Sequence, residues 1–151
     1  MRYFLDTEYN GLGGQLISLA LVPEHGDHEF YTVVTMTDAL HPWVERNVMP
    51  YVGHVPPGLQ APPRSRLDAA AEVAHYLAGD DDPLIVADWP EDIAHFCWLL
   101  VTGEGELAPV GSLRFEFISS PGCSTARNSR VPHNALHDAR ALRDFVIDWE
   151  R

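Results

Sequence analysis

Lysine is absent from this 151-residue chain, cysteine occurs only twice, and no apolar run approaches the roughly 20 residues that a membrane-spanning helix needs. All ten basic residues are arginines, and against 22 acids they leave a formal net charge of −12. That balance argues against a protein that holds nucleic acid on a broad basic surface. It still allows a cleft in which bound cations neutralise local carboxylates. Cys97 lies in an apolar run and Cys123 in a Ser/Gly/Pro loop; their spacing is that of neither a metal site nor a disulfide framework, so both read as reduced thiols. The N-terminal MRYFLDTE turns polar within a few residues and lacks the basic-then-apolar pattern of a signal peptide, so a cytoplasmic location and no membrane partner are expected.

What is present is ordinary for a globular chain: 46% hydrophobic and 21% charged residues, with no low-complexity tract or internal repeat, which reads as one domain over residues 1–151. RYFLDTEY, GQLISLALVP and HEFYTVVTM have strand composition and are separated by turn residues, the pattern of an antiparallel meander. A short helix is expected around Pro42 to Val48, then a proline-rich loop. SRLDAAAEVAHYLAG follows as a full helix capped by Ser65, with Leu67, Ala70, Val73, Ala74 and Leu77 at helical spacing. PLIVADW reads as a strand buried on both faces, PEDIAHFCWLLVTG as a helix with Pro90 in its first turn, SLRFEFIS as a last strand and PHNALHDARALRDFVIDWER as a terminal helix. Three antiparallel strands followed by αβαβα predict an α/β fold with a mixed sheet, helices on both faces and the first strand central. At least two of Trp43, Trp89 and Trp98 are expected in the core.

Certain acids stand where apolar residues belong. In strand geometry Phe4, Asp6 and Glu8 share one face, with the Cα atoms of the two acids about 6.6 Å apart, so both side chains can converge on one ion. The alternative is a strand that ends at Leu5 and leaves the acids in water. On the terminal helix Asp138, Leu142, Phe145 and Trp149 form one stripe, so a carboxylate leads the face turned to the sheet. If that helix begins after Asn134, His133 sits just outside it and is free to turn to the same place, whereas His137 is expected to face outward. Asp92 heads a third stripe with Phe96 and Leu99; Asp88 and Glu91 compete for its role, and an acid in a first helical turn is also common without function. Oxygen-only ligands suit Mg²⁺ or Mn²⁺, and four carboxylates around two such ions make a clamp for phosphoryl transfer, beside which a neutral imidazole can accept a proton from water.

FLDTEYNG, IVADWPEDIAHF and PHNALHDARAL together resemble the three motifs of the DEDDh branch of 3′-5′ exonucleases. The likeness spans nearly the whole chain. MRYFLDTE, ISLALVPEHG, HPWVERNVMP and HNALHDAR are most similar to the small polyadenylate-specific exoribonucleases of the mycobacterial RNase AS type. The second motif departs from the pattern, with Asp88 where many relatives carry Asn, so Asp92 is preferred by register and Asp88 stays open. The resemblance implies an RNase H-like five-stranded sheet and a two-metal site in which Asp6 bridges both ions, Glu8 and Asp138 complete the first, Asp92 holds the second and His133 is the general base. It further implies a single-stranded RNA 3′ end as partner, with Tyr9 and Asn10 flanking the terminal nucleotide and Arg127 or Arg130 reaching phosphate, and a homodimer. A proofreading-type DNA exonuclease and a non-catalytic nucleic-acid-binding module are the competing readings.

Overall fold

The computed structural model describes residues 1–26 and 28–151. Three strands come first: β1 (Arg2–Tyr9), β2 (Leu16–Pro23) and β3 (Phe30–Val33). After the short helix α1 (Pro42–Asn47) and two 3₁₀ turns come α2 (Arg66–Leu77), β4 (Leu84–Ala87) and α3 (Pro90–Leu100). A small ribbon of β5 (Val101–Gly103) and β6 (Glu106–Leu107) precedes β7 (Arg114–Phe117), α4 (Thr125–Asn128) and α5 (Ala135–Trp149). The main sheet runs β3-β2-β1-β4-β7, antiparallel among the first three strands and parallel from β1 to β4 to β7. It is an α/β fold with β1 at the centre.

The period-two pattern of β1 divides the core. Tyr3 and Leu5 join Leu19, Leu21 and Ile85 against Val73 and Leu77 of α2 and Phe96 and Leu99 of α3. Phe4 and Val86 face the other way, onto Leu142 and Val146 of α5, while Ala20 and Val22 meet its first turn at Ala135, Leu136 and Ala139. The helices α2 and α5 start where the sequence provides a cap: Ser65 accepts from the Asp68 N–H at 3.1 Å, and Asn134 accepts from Leu136 at 3.1 Å and His137 at 3.4 Å. Pro90 opens α3, where its missing N–H leaves no bond unmade.

Some expected positions differ. Leu67 is exposed, because the buried stripe of α2 runs through Ala69, Ala70, Val73, Ala74 and Leu77. Trp149 is also exposed, since α5 overruns the sheet and Val146 is its last buried residue. None of Trp43, Trp89 and Trp98 is in the core, with 44, 57 and 68% of their surfaces open. The ribbon β5–β6 was not legible from its short, Gly-rich segment; α3 ends at Leu100, before Val101 and Thr102 enter it. Among the described residues no helix is long and apolar enough to cross a membrane. Leu5 is fully buried at the sheet centre; Leu5→Ala is expected to lower unfolding free energy by about 2–5 kcal/mol in a denaturant titration.

Candidate functional site

β1 continues past Leu5 to Tyr9, and β2 pairs with it as far as Asp6↔Ala20 and Glu8↔Ser18. Asp6 and Glu8 are therefore on ordered strand, on the Phe4 side that α5 covers, and are not solvated at a strand tip. The first turn of α5 brings Asp138 to the same place, 4% exposed. One oxygen of Asp138 accepts the His133 backbone N–H at 3.1 Å, and the other, Oδ1, is buried with no partner. Glu8, His133 and Asp138 each offer a ligand atom within 4.8 Å of the others. His133 has φ +65°, a left-handed conformation that a residue with a Cβ rarely adopts. This strained residue just outside the Asn134 cap turns its N–H onto Asp138, and its ring stands edge-on to Trp43 at 5.1 Å.

From the opposite side of the sheet α3 contributes Asp92, 3% exposed. Thr7, which alternation points away from Asp6 and Glu8, donates both its N–H (3.1 Å) and its hydroxyl (2.6 Å) to Asp92 Oδ1. One strand thus carries two acids on one face and, between them, the donor that fixes a third. Asp88 accepts from the Ser120 hydroxyl at 2.5 Å, and its charge is felt at Asp6, Asp92 and Asp138. Both acids of the second motif border the cluster, but only Asp92 is tied to β1.

Burial is the first cause of the perturbed acidities here. It raises the Asp6 carboxyl well above its ordinary range, with the charges of Asp92, Asp138, Glu8 and Asp88 adding to the effect. Burial followed by Asp138 and Asp92 pushes Glu8 up to about 8. Asp92 rises to about 7 through burial despite its two Thr7 bonds, and Asp138 to about 6 through burial, against the neighbouring Ser129 hydroxyl and the His133 N–H. Such a set is at ease only when it holds protons or cations. Its oxygen donors, with an unpartnered buried Oδ1 among them, fit hard divalent cations better than zinc.

A 480 Å³ groove opens beside Glu8 and His133, walled by Tyr9, Gly11, Leu12, His41, Trp43 and Glu91. Tyr9 is held there by stacking on His95, ring centroids 4.4 Å apart, and by Glu91. Asn10 is not a wall. Its amide donates to the Ala39 carbonyl at 2.9 Å and accepts from the His41 N–H at 2.7 Å, latching the loop after β1 onto the approach to α1. Gly14 closes that loop where a Cβ would fall 2.0 Å from the Asn10 carbonyl oxygen. Arg127 donates to the Gly122 carbonyl at 3.4 Å and lies close to Cys123, whose thiol also feels Asp88 and Asp138. Arg130 lies elsewhere, in a second pocket with His137, Arg140 and Arg143. His137 does not face outward freely, because its Nε2 meets the His54 carbonyl at 2.9 Å. Leu12, 95% exposed, and Trp43 are the wall residues that sequence reasoning passed over. Only their position beside the cluster marks them; in the sequence they look like a loop leucine and a core tryptophan.

Raised pKa values have a definite consequence for stability. The folded chain holds protons on Glu8 and Asp92 that the unfolded chain, with ordinary values of 4.5 and 3.8, has already released. Stability from these groups is complete below those ordinary values and is lost as pH rises through about 7 and 8. His95 and His137, lowered by burial, act in the opposite direction only up to the ordinary 6.5. In EDTA the thermal midpoint is therefore expected to fall between pH 6.5 and 8, with Mg²⁺ or Mn²⁺ restoring it most at pH 8; a flat or rising midpoint there contradicts the electrostatics. Glycine relieves a positive φ, so His133→Gly is expected to unfold at a temperature no lower than the wild type in the same scan. Comparison with protein-family models finds no family that matches the chain, and no curated protein matches it.

Proposed function

We propose that this chain is a metal-dependent 3′-5′ exoribonuclease on an RNase H-like fold, releasing nucleoside 5′-monophosphates from single-stranded RNA ends. The observation that carries the proposal is the convergence of Asp6, Glu8, Asp92 and Asp138, all with raised pKa values, beside His133. A structural role accounts poorly for four desolvated carboxylates, since apolar residues of similar size would pack there without the electrostatic penalty. For the same reason a binding-only module is the weaker reading. Attack from the 3′ end and the adenylate-rich substrate class rest on the likeness of the three motifs to DEDDh exonucleases.

Asp6, Glu8 and Asp138 would hold one Mg²⁺ or Mn²⁺, and Asp6 with Asp92 a second; bound there, the ions supply positive charge for the attacking and leaving oxygens. The protein's own contributions are separable. Thr7 holds Asp92 in one orientation, so its carboxylate needs no reordering when ligands arrive. The His133 imidazole, placed against Trp43, takes a proton from the attacking water as its oxygen bonds to phosphorus. The bond from phosphorus to the 3′ oxygen of the preceding nucleotide then breaks, and that oxygen takes up a proton to leave a new 3′-hydroxyl. Tyr9, Leu12 and Trp43 offer ring and aliphatic faces on which the terminal base can stack, worth about 1–3 kcal/mol per base and indifferent to sequence.

Asp6→Asn keeps the size of the side chain while removing a charge, so the fold should survive. We expect monophosphate release from a short oligoadenylate to fall at least about a thousandfold, as losing a group used only in the transition state does, and EDTA to have the same effect. Matched poly(A), poly(U) and DNA ladders read out base and sugar preference. Unchanged release in EDTA excludes this mechanism, and equal rates on DNA favour the DNA exonuclease instead.

A further inference from the structure

The second pocket, about 480 Å³, is the place where this acidic chain concentrates positive charge. Four of its ten arginines fall between residues 127 and 143. Three of them, Arg130, Arg140 and Arg143, line the pocket together with Asn128, His137 and Glu29. Elsewhere Arg2 pairs with Glu24 and Glu150, Arg64 with Glu72 and Arg114 with Asp82, while Arg46, Arg66 and Arg127 stand singly without a carboxylate partner among the described residues. Here the pairing is incomplete. Glu29 takes Nε and Nη2 of Arg140 and leaves Nη1 uncommitted; Asp144 takes Nε and Nη2 of Arg143, whose Nη1 is 4.0 Å from Glu29. Arg130 has no carboxylate partner among the described residues. Counting Asp144 and Glu29, the described lining carries three positive charges against two negative ones, in a protein whose whole balance is −12.

The two ion pairs also order the donors. A guanidinium held by a carboxylate on one edge presents its other edge in a set direction, so less side-chain entropy remains to be lost when an anion binds. The His137 ring is turned onto the His54 carbonyl, with Nε2 at 2.9 Å, so the donors facing the pocket are the guanidiniums and the Asn128 amide. The pocket and the carboxylate cluster lie on adjoining faces of α5. His137 precedes Asp138 by one residue, about 100° round the helix, and Arg130 stands three residues before His133.

We propose that this pocket binds phosphodiesters of the RNA strand upstream of the nucleotide being removed. The assignment rests on the exoribonuclease reading, and it gives the enzyme a way to hold a polyanion despite its net charge: cations at the carboxylates for the end, guanidiniums in this pocket for the strand behind it. A strand seated there gains affinity with length, whereas one too short to reach the pocket does not.

The test is fluorescence anisotropy with 5′-labelled oligoadenylates of two and ten nucleotides in Mg²⁺, on protein stopped from turnover by Asp6→Asn, with and without the pair Arg130→Gln and Arg143→Gln. Arg130 makes no ion pair and Arg143 pairs with the exposed Asp144, so both substitutions should fold; far-UV circular dichroism checks this. The ten-mer is expected to bind more tightly than the two-mer. The double substitution should weaken ten-mer binding about tenfold and reduce the slope of log affinity against log salt by about 0.7 for each phosphate that the arginines no longer neutralise. A ten-mer affinity and salt slope unchanged by the substitutions overturns the proposal. So does inorganic phosphate that binds in an arginine-dependent way without displacing the ten-mer, which would make the pocket a free-anion site. Cleavage by the unsubstituted protein judges the exoribonuclease reading separately: no monophosphate release alongside arginine-dependent ten-mer binding sinks the catalysis and leaves the strand site standing.

Discussion

Mutual repulsion among carboxylates at the end of the central strand is the constraint around which the molecule is arranged. Asp6 is surrounded by Glu8, Asp92, Asp138 and Asp88, and burial together with these neighbours raises its pKa well above the ordinary carboxylate range. Among the described residues no cationic side chain pairs with these acids. The described ion pairs of arginine all involve other acids: Glu24, Glu150, Glu72, Asp82, Glu29, Asp144 and Asp148. A fold that places its arginines away from its most crowded acids leaves those acids to protons or to external cations.

Three independent pieces of backbone converge to create that crowding, each by simple means. Strand alternation puts Asp6 and Glu8 on one face and lets Thr7, on the other, grip Asp92 across the sheet. The Asn134 cap starts α5 at Ala135, which puts Asp138 in its first turn, with a carboxylate oxygen within 4.8 Å of one of Glu8. The left-handed His133 bends the preceding chain so that its N–H meets one Asp138 oxygen. That conformation costs about 1–3 kcal/mol, and the Asp138 bond and the Trp43 contact partly offset it.

The surface follows from the same charge problem. With ten arginines and no lysine, positive charge is scarce; of the four arginines without a carboxylate partner among the described residues, Arg127 and Arg130 lie in the segment before His133 and Asp138, and Arg46 and Arg66 on α1 and α2. The exposed aromatic and aliphatic residues Trp43 and Leu12 border the same groove. Stacking faces and acids are thus grouped around the first turn of α5 and the end of β1, while the opposite face of the sheet, under α2 and α3, is apolar apart from Thr7 and the Asp92 it holds.

Local pattern alone determined much of this protein. Periodicity and caps revealed the order of strands and helices, the centrality of β1, the Asn134 start of α5 and the acids standing where apolar residues belong, because alternation and helical repeat act over a few neighbouring residues. The choice of Asp92 through Thr7, the uncommitted Asp138 oxygen, the latching role of Asn10 and the separation of Arg130 from the carboxylates needed the tertiary structure. So did the exposure of Trp43, Trp89 and Trp98 and the ribbon after α3. Each of these depends on contacts between residues as much as 85 positions apart in the chain, or on where a helix overruns the sheet, and no short window of sequence contains both partners.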